Sequence, residues 1–301
     1  VCSARRRELE LSQAPTFAAD ENLSAARRRL GAALATGGKE PADLEARLLV
    51  EAATGLNALD LLMRGDEKLG AAADRLTGFA ARRLAGEPVN RIIGKTNFFG
   101  LDLAVAPDVL DPRSDTEILV EAALEMLARD GLNNPKILDL GIGSGAILCA
   151  LLDSRSDAFG VGVDLSAQAC ASATHNLARC GLASRAAVIR GDWTAALAGT
   201  FDLIVSNPPY IEHAELSELD QEVRDHDPVL ALDGGPDGLA PYRLLANELR
   251  RLLRPKGGAC LEIGWRQAAG VSAILSDAGW SGVSCRRDHA GRDRVIVVKA
   301  A

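Results

Sequence analysis

Four consecutive residues, Asn207-Pro208-Pro209-Tyr210, carry the most specific chemistry in this chain. They follow the apolar run Phe201-Asp202-Leu203-Ile204-Val205-Ser206, which reads as a buried parallel strand. A side-chain amide and two prolines, which offer carbonyls but no N–H, therefore stand at a strand's C-terminal end, where open α/β sheets bind ligands. Such a turn suits a planar –C–NH2 group: oxygen acceptors take its two N–H hydrogens and the Tyr210 ring covers its face. The chemistry would be substitution at an amino or amide nitrogen attached to an sp2 carbon.

A second group lies upstream. Asp139-Leu140-Gly141-Ile142-Gly143-Ser144-Gly145 ends one strand and opens a helix, and glycines there bring backbone N–H groups up to a ligand. Alone, the turn fits several nucleotide binders, including a relaxed dinucleotide fingerprint with Ala146 in last place, and equally a tight turn with no ligand. Gly145 leans the pattern towards Gly141-x-Gly143-x-Gly145. Asp164 ends the next strand, where a carboxylate can accept ribose hydroxyls. Asp192-Trp193 follows the third strand, where a carboxylate and an indole can frame a purine. An aspartate after a strand is often plain surface and a tryptophan often core. Taken in register with Asn207, these residues point to S-adenosyl-L-methionine.

Rival signatures are missing: there is no G-x-S-x-G elbow, no Walker A sequence and no H-E-x-x-H. The four histidines are scattered, so no metal site is expected. Gly234-Gly235-Pro236-Asp237-Gly238 reads as a plain turn before a helix.

Alternating elements must position these groups. Strands are predicted over 136–140, 159–164, 187–190, 201–206 and 258–263, with helices through Asn176 to Arg179, over about 239–253 and near 268–278. Two further strands near Val283 and Val295 are expected as an antiparallel edge. The pattern predicts an α/β, doubly wound, Rossmann-like parallel sheet. Before it, residues 23–86 read as a small all-α domain of about four helices, with Ser24 as first cap and Pro41 in an N1-type position. Residues 1–22 read as a poorly ordered leader and 87–110 as a linking β-hairpin. The catalytic domain then spans 111–301, opened by a helix to about Arg129 with a Ser114–Glu117 capping box.

Composition bounds the function classes. The chain has 301 residues, 48% of them hydrophobic, with ample material for a core and no apolar run long enough to span a bilayer. Val1 to Glu8 carry charge with no apolar stretch behind them, so no secretory signal is expected. The net charge of −7 disfavours stable, non-specific nucleic-acid binding, which needs a basic footprint. The six cysteines form no C-x-x-C pair and read as reduced thiols of a cytoplasmic protein.

With these residues in hand, the chain resembles the bacterial release-factor glutamine methyltransferases, the PrmC/HemK family. The resemblance runs through most of the chain after residue 23. It is carried by Gly86-Glu87-Pro88 with Arg91 to Gly94, Phe98 to Leu101, Pro112-Arg113 with Asp115 to Glu117, Asp139 to Gly145, Asn207 to Tyr210, Val223 to Leu239, and Leu261 to Gly264. It implies methylation of the glutamine amide in the Gly-Gly-Gln motif of class-1 peptide chain release factors. By motif, Gly141, Ile142, Gly143, Ser144, Gly145, Asp164, Trp193 and Asn207 would bind cofactor. Asn207, Pro208, Pro209 and Tyr210 would hold the glutamine, with Asn207, Pro208 and Tyr210 in the catalytic role. Two departures stand out: Ser114 replaces a usual Pro, and His226-Asp227-Pro228 replaces aromatic-Glu-Pro, which leaves the role of Asp227 open.

Asn-Pro-Pro-Tyr alone does not separate this reading from an adenine-N6 methyltransferase, whose target is also an NH2 on an sp2 carbon. A ribosomal-protein glutamine methyltransferase, with a different N-terminal domain, is a further alternative, and a non-catalytic S-adenosylmethionine-binding protein a third. Oxidation of a haem precursor would leave Asn-Pro-Pro-Tyr unexplained.

Overall fold

A computed structural model describes residues 14–195 and 197–300. The chain divides into two compact units, residues 1–94 and 95–301.

The first unit is helical: α1 (Leu23–Thr36), α2 (Ala42–Thr54), α3 (Ala58–Met63), α4 (Ala73–Leu84) and α5 (Val89–Ile93). Leu30, Leu34, Leu49, Val50, Leu76 and Ala80 close its core. Three expectations change here. The cap of α1 is Asn22, whose Oδ1 accepts from Ala25 N–H at 2.7 Å, in place of Ser24. Pro41 occupies the N-cap of α2, one position earlier than expected. The expected leader is packed from residue 14 onward as far as described: Phe17 is buried in the helical core and its N–H donates to Thr77 Oγ1 at 2.9 Å. Residues 1–13 lie outside the described residues.

The β-branched residues near 89–93 form a helix, not the start of a hairpin. Pro88 stands at its N-cap, Gly94 closes it in the left-handed region at φ 74°, and Val89 and Ile92 turn into the helical core. Their i,i+3 spacing, rather than β propensity, decides the local structure.

The second unit begins with the hairpin β1 (Lys95–Phe98) and β2 (Leu101–Ala104). Phe99 and Gly100 both take positive φ, 50° and 79°, as a two-residue hairpin turn requires. A 3-10 turn over Ser114–Thr116 leads into α6 (Glu117–Arg129). The expected capping box is not formed: Glu117 Oε1 accepts from Phe99 N–H at 2.8 Å and ties the hairpin to the helix.

There follow β3 (Lys136–Leu140), α7 (Ala146–Ser154), β4 (Phe159–Asp164), α8 (Ala167–Arg179), β5 (Ala186–Arg190), β6 (Phe201–Ser206), α9 (Gln221–His226), α10 (Ala240–Leu252), β7 (Leu253–Glu262), α11 (Ala268–Asp277), β8 (Gly282–Arg287) and β9 (Asp293–Lys299). The sheet order is β5-β4-β3-β6-β7-β9-β8. The first five strands in that order run parallel, β9 is antiparallel to both neighbours and β8 is the outermost strand, so the last pair forms the antiparallel edge expected. From β3 the chain winds outward through β4 and β5, then returns to the other side of β3 as β6. That reversal opens a crevice outside the C-terminal ends of β3 and β6.

Alternation along β3 sends Ile137 to one face, with Leu119, Leu148 and Leu203, and Leu138 and Leu140 to the other, with Tyr242, Leu245 and Leu261. Every residue of β6 is buried. The strand ends that carry the Gly-rich and Asn-Pro-Pro-Tyr turns are therefore anchored between two cores.

Candidate active site at the strand ends

The turn after β3 is built from backbone. Gly141 and Gly143 take φ of 73° and 55°, a region that favours glycine. The Gly143 N–H donates to Asp164 Oδ2 at 3.0 Å, and the Ser166 N–H donates to Asp164 Oδ1 at 2.9 Å. Asp164 thus braces the Gly-rich turn against the start of α8 and keeps further lone pairs for a ligand. Gly145 does something else. It precedes α7 at φ 82°, and a Cβ there would sit 3.0 Å from Ala173 Cα, so its place is tight packing of α7 on α8. It does not line the crevice.

Beneath the turn, Asp139 is fully buried, and the Leu148 backbone is the hydrogen-bonding group set against its carboxyl. Burial first, and the nearby Asp164 second, push its pKa up to about 8.

The turn after β6 is built from side chains and distant loops. Asn207 Nδ2 donates to the buried Thr116 Oγ1 at 3.3 Å. Asn207 and Pro209 line the crevice; Pro208 is buried and Tyr210 packs its ring on the second core instead. The Tyr210 carbonyl accepts from Gln267 Nε2 at 2.9 Å, while Gln267 Oε1 accepts from Gly264 N–H at 2.9 Å. Gly238 (φ 67°) lies so close that a Cβ would run into the Tyr210 carbonyl, and a Cβ on Gly234 would meet Tyr210 Cα at 2.8 Å. The Gly234–Gly238 segment is therefore the brace of the Asn-Pro-Pro-Tyr turn, not the plain turn expected.

Two backbone bonds complete that brace: Ile211 N–H to Leu232 O at 3.0 Å and Gly234 N–H to Ile211 O at 2.8 Å. Asp227, whose role the sequence left open, accepts from Arg113 Nη2 at 2.6 Å and ties the chain before α6 to the loop after α9.

Together the turns border a cavity of about 510 Å³ lined by Gly141, Ile142, Gly143, Ser144, Asp164 and Trp193 on one side and Asn207 and Pro209 on the other. Trp193 adopts φ 47° there. The volume is that of a small-molecule site. Asp108, Asp111, Asp164, Asp192 and Asp233 contribute to the described lining against Arg113 alone among basic residues. That balance suits a ligand carrying sulfonium and ammonium charge. A braced carboxylate for a diol, an indole and the apolar Ile142 and Val163 also match the parts of S-adenosylmethionine, whereas the Gly141, Ile142 and Gly143 amides, expected to reach a ligand, donate to Val163 O and Asp164 instead. Gly145, Pro208 and Tyr210 are the expected site residues that do not line this cavity.

Thr116, Gln267 and the Gly234–Gly238 brace were not singled out as site residues. Gln267 has no local signature, and Thr116 has none beyond its place within the Asp115–Glu117 match. The glycine cluster did have one, in needing two close backbone approaches. Among the described residues no group of His, Cys, Asp and Glu is arranged to hold a metal, the cysteines are free, and no helix is long and apolar enough to cross a membrane.

Comparison with known proteins places this geometry. A family model of the methyltransferase small domain matches residues 110–225, and one of the PrmC N-terminal domain matches residues 25–94. A release factor glutamine methyltransferase of Agrobacterium fabrum is 45% identical over 282 residues, covering 92% of this chain and 96% of the relative. That of Rhodospirillum rubrum is 44% identical, covering 88% and 81%. A methyltransferase structure from Pyrococcus furiosus superposes with TM-score 0.50 at 17% identity, covering 74% of this chain and 98% of that one, a likeness of fold.

Proposed function

The chain belongs to the release factor glutamine methyltransferase family, and from that premise we propose how its residues divide the work of methyl transfer. The enzyme transfers a methyl group from S-adenosylmethionine to the side-chain amide nitrogen of a release-factor glutamine. We place that glutamine in the Gly-Gly-Gln motif of class-1 factors.

An amide nitrogen is a poor nucleophile because its lone pair is delocalised into the carbonyl. The cofactor supplies an activated methyl group on its sulfonium. What remains for the protein is geometry and charge. Asn207 Oδ1, on the cavity wall, and the carbonyl of the adjoining Pro208, whose ring is buried, would accept the two glutamine N–H hydrogens and present the nitrogen to the methyl donor. As positive charge develops on that nitrogen, both acceptors would hold it more strongly than in the ground state, which lowers the barrier; the methyl–sulfonium bond breaks as the new N–C bond forms, and one of the two N–H protons leaves to solvent. Alignment of two bound reactants lowers it further. Tyr210, whose ring packs on the second core, holds the turn from behind and does not cover the amide plane.

The observation that carries this reading is the commitment of Asn207 Nδ2 to Thr116, which leaves Oδ1 as the acceptor on a side chain lining the cavity. Gly141, Ile142, Gly143, Ser144, Asp164 and Trp193 hold the cofactor. We assign substrate docking to the helical unit, supported by Leu59, Leu62 and Met63, which α3 leaves exposed. The acidic charge balance supports a protein substrate over stable nucleic-acid binding.

The test is methyl transfer from labelled cofactor to a class-1 release factor, to its Gln→Ala form in Gly-Gly-Gln, and to duplex DNA. Label on the intact factor alone is expected. Equal label on the Gln→Ala form, or label on DNA, overturns the assignment.

A further inference from the structure

We propose that Glu262, acting through the Thr116 hydroxyl, fixes the direction in which the Asn207 amide points and is thereby a positioning residue for the substrate glutamine. The inference rests on the reading of Asn207 as the glutamine's acceptor.

The strand register brings these groups together. Ser206 of β6 pairs with Leu261 of β7, so Asn207 and Glu262 follow one another's neighbours at adjacent strand ends. Leu261 turns into the second core, and Glu262 turns the other way, towards Thr116. The Glu262 side chain is buried, and its Oε2 has no hydrogen-bond partner. Thr116 and Asn207 are the neutral hydrogen-bonding groups that face its carboxyl. A buried carboxyl group with an unmet acceptor is costly for the fold, so its retention needs a reason.

The two ends of an asparagine amide have the same shape and opposite hydrogen-bonding sense. With Oδ1 towards the cavity, Asn207 accepts from the glutamine; flipped, it offers N–H to N–H and repels it. Thr116 alone does not decide between them, because a hydroxyl both donates and accepts. An ionised carboxylate only accepts. It takes the Thr116 O–H, which leaves Thr116 an acceptor for Asn207 Nδ2–H, and Oδ1 is then directed to the cavity. Protonated Glu262 can donate to Thr116 instead, and the constraint is lifted.

The charged groups around Glu262 set where that change falls. Burial pushes its pKa up most. Thr116, Arg294 and Asn207 pull it down, and Asp115 pushes it up, for a result of about 7. Arg294, on β9, is itself held by Asp115 at 3.0 Å and Asp288 at 3.2 Å, and the phenols of Tyr210 and Tyr242 also lie near the carboxyl. The ionised form is the directing one, so methyl transfer rises with pH through about 7 and is level above it.

Single-turnover methyl transfer to the release factor, with cofactor affinity measured in parallel, tests this. Glu262→Gln and Thr116→Val should each slow transfer about 10–100-fold, the scale of a displaced or missing transition-state contact, with cofactor affinity kept within about threefold. Their combination should be no slower than either alone, because both break one chain of contacts. Thr116→Ser, which keeps the hydroxyl, should recover most of the rate. Glu262→Gln should also lose the rise through neutral pH, which a purely structural carboxyl would not supply. Should Glu262→Gln fail to bind cofactor, Thr116→Val against Thr116→Ser carries the test. Wild-type rates in Glu262→Gln and Thr116→Val, or additive losses, overturn the inference. If Asn207→Ala abolishes transfer in that same experiment, the reading of Asn207 survives; an unchanged Asn207→Ala rate instead removes that reading and leaves nothing to orient.

Discussion

The two turns that meet at the cavity are made in different ways. The one after β3 draws its shape from its own backbone: Gly141 and Gly143 hold positive φ, and the Gly143 amide reaches a single nearby carboxylate, Asp164. The one after β6 owes its shape to residues from elsewhere in the chain. Thr116 lies 91 positions before Asn207, and Gln267 lies 57 after Tyr210. Gly234 and Gly238 press on the same turn from below. The half we propose for the cofactor thus has a local, backbone-made turn, whereas the half we propose for the glutamine is assembled from several loops. A backbone cradle tolerates change in distant loops; an assembled one transmits any change directly to the reacting nitrogen.

That contrast predicts separable failures. The largest is at Asn207: Asn207→Ala should lower turnover on the order of 10²–10³-fold, the scale seen when one preorganised transition-state contact is lost. A rate near wild type would place the acceptor elsewhere. Next is Gly238→Ala, which forces a β-carbon onto the Tyr210 carbonyl at a backbone angle of +67°. Turnover should fall about 10–100-fold from displacement of the turn, and steady-state kinetics at saturating cofactor would read it. Wild-type kinetics would mean that the brace is slack. Asp164→Ala should strike the other half. Two backbone amides lose their acceptor, and affinity for cofactor should drop about tenfold or more, with the loss recovered in part at high cofactor concentration.

The smallest effect concerns Asp139. Its carboxyl is neutral in both folded and unfolded chains at acid pH, since the ordinary value of 3.8 is raised to about 8 on folding. Its favourable contribution is therefore present below about pH 4 and fades as pH rises through about 8. In thermal unfolding of the cofactor-free protein, Asp139→Asn should gain on the order of a few degrees at about pH 8 and little at acid pH. Equal shifts at both pH values would show that burial of charge is not the cause.

The same contrast explains what the sequence made legible. β3, β4 and β6 lie where their apolar runs predicted, and the Gly-rich turn was readable because its glycines, its strand and its helix are contiguous. Asp164 is one strand onward and was readable for the same reason. The capping box at Ser114 was not formed because Glu117 serves the hairpin instead, a tertiary contact that no local rule contains. Tyr210 was placed on the cavity by its neighbours in sequence, but its ring is taken up by the second core. Thr116, Glu262 and Gln267 could not be found by spacing, because only the sheet order and the β6–β7 register bring them to Asn207.

The most direct test of this division is a calorimetric titration of S-adenosylmethionine into Asn207→Ala, read beside its single-turnover rate. Affinity within about threefold of wild type, with transfer slowed at least about a hundredfold, is the predicted result. Equal losses in affinity and rate would contradict it, since the turn after β6 would then serve the cofactor rather than the glutamine.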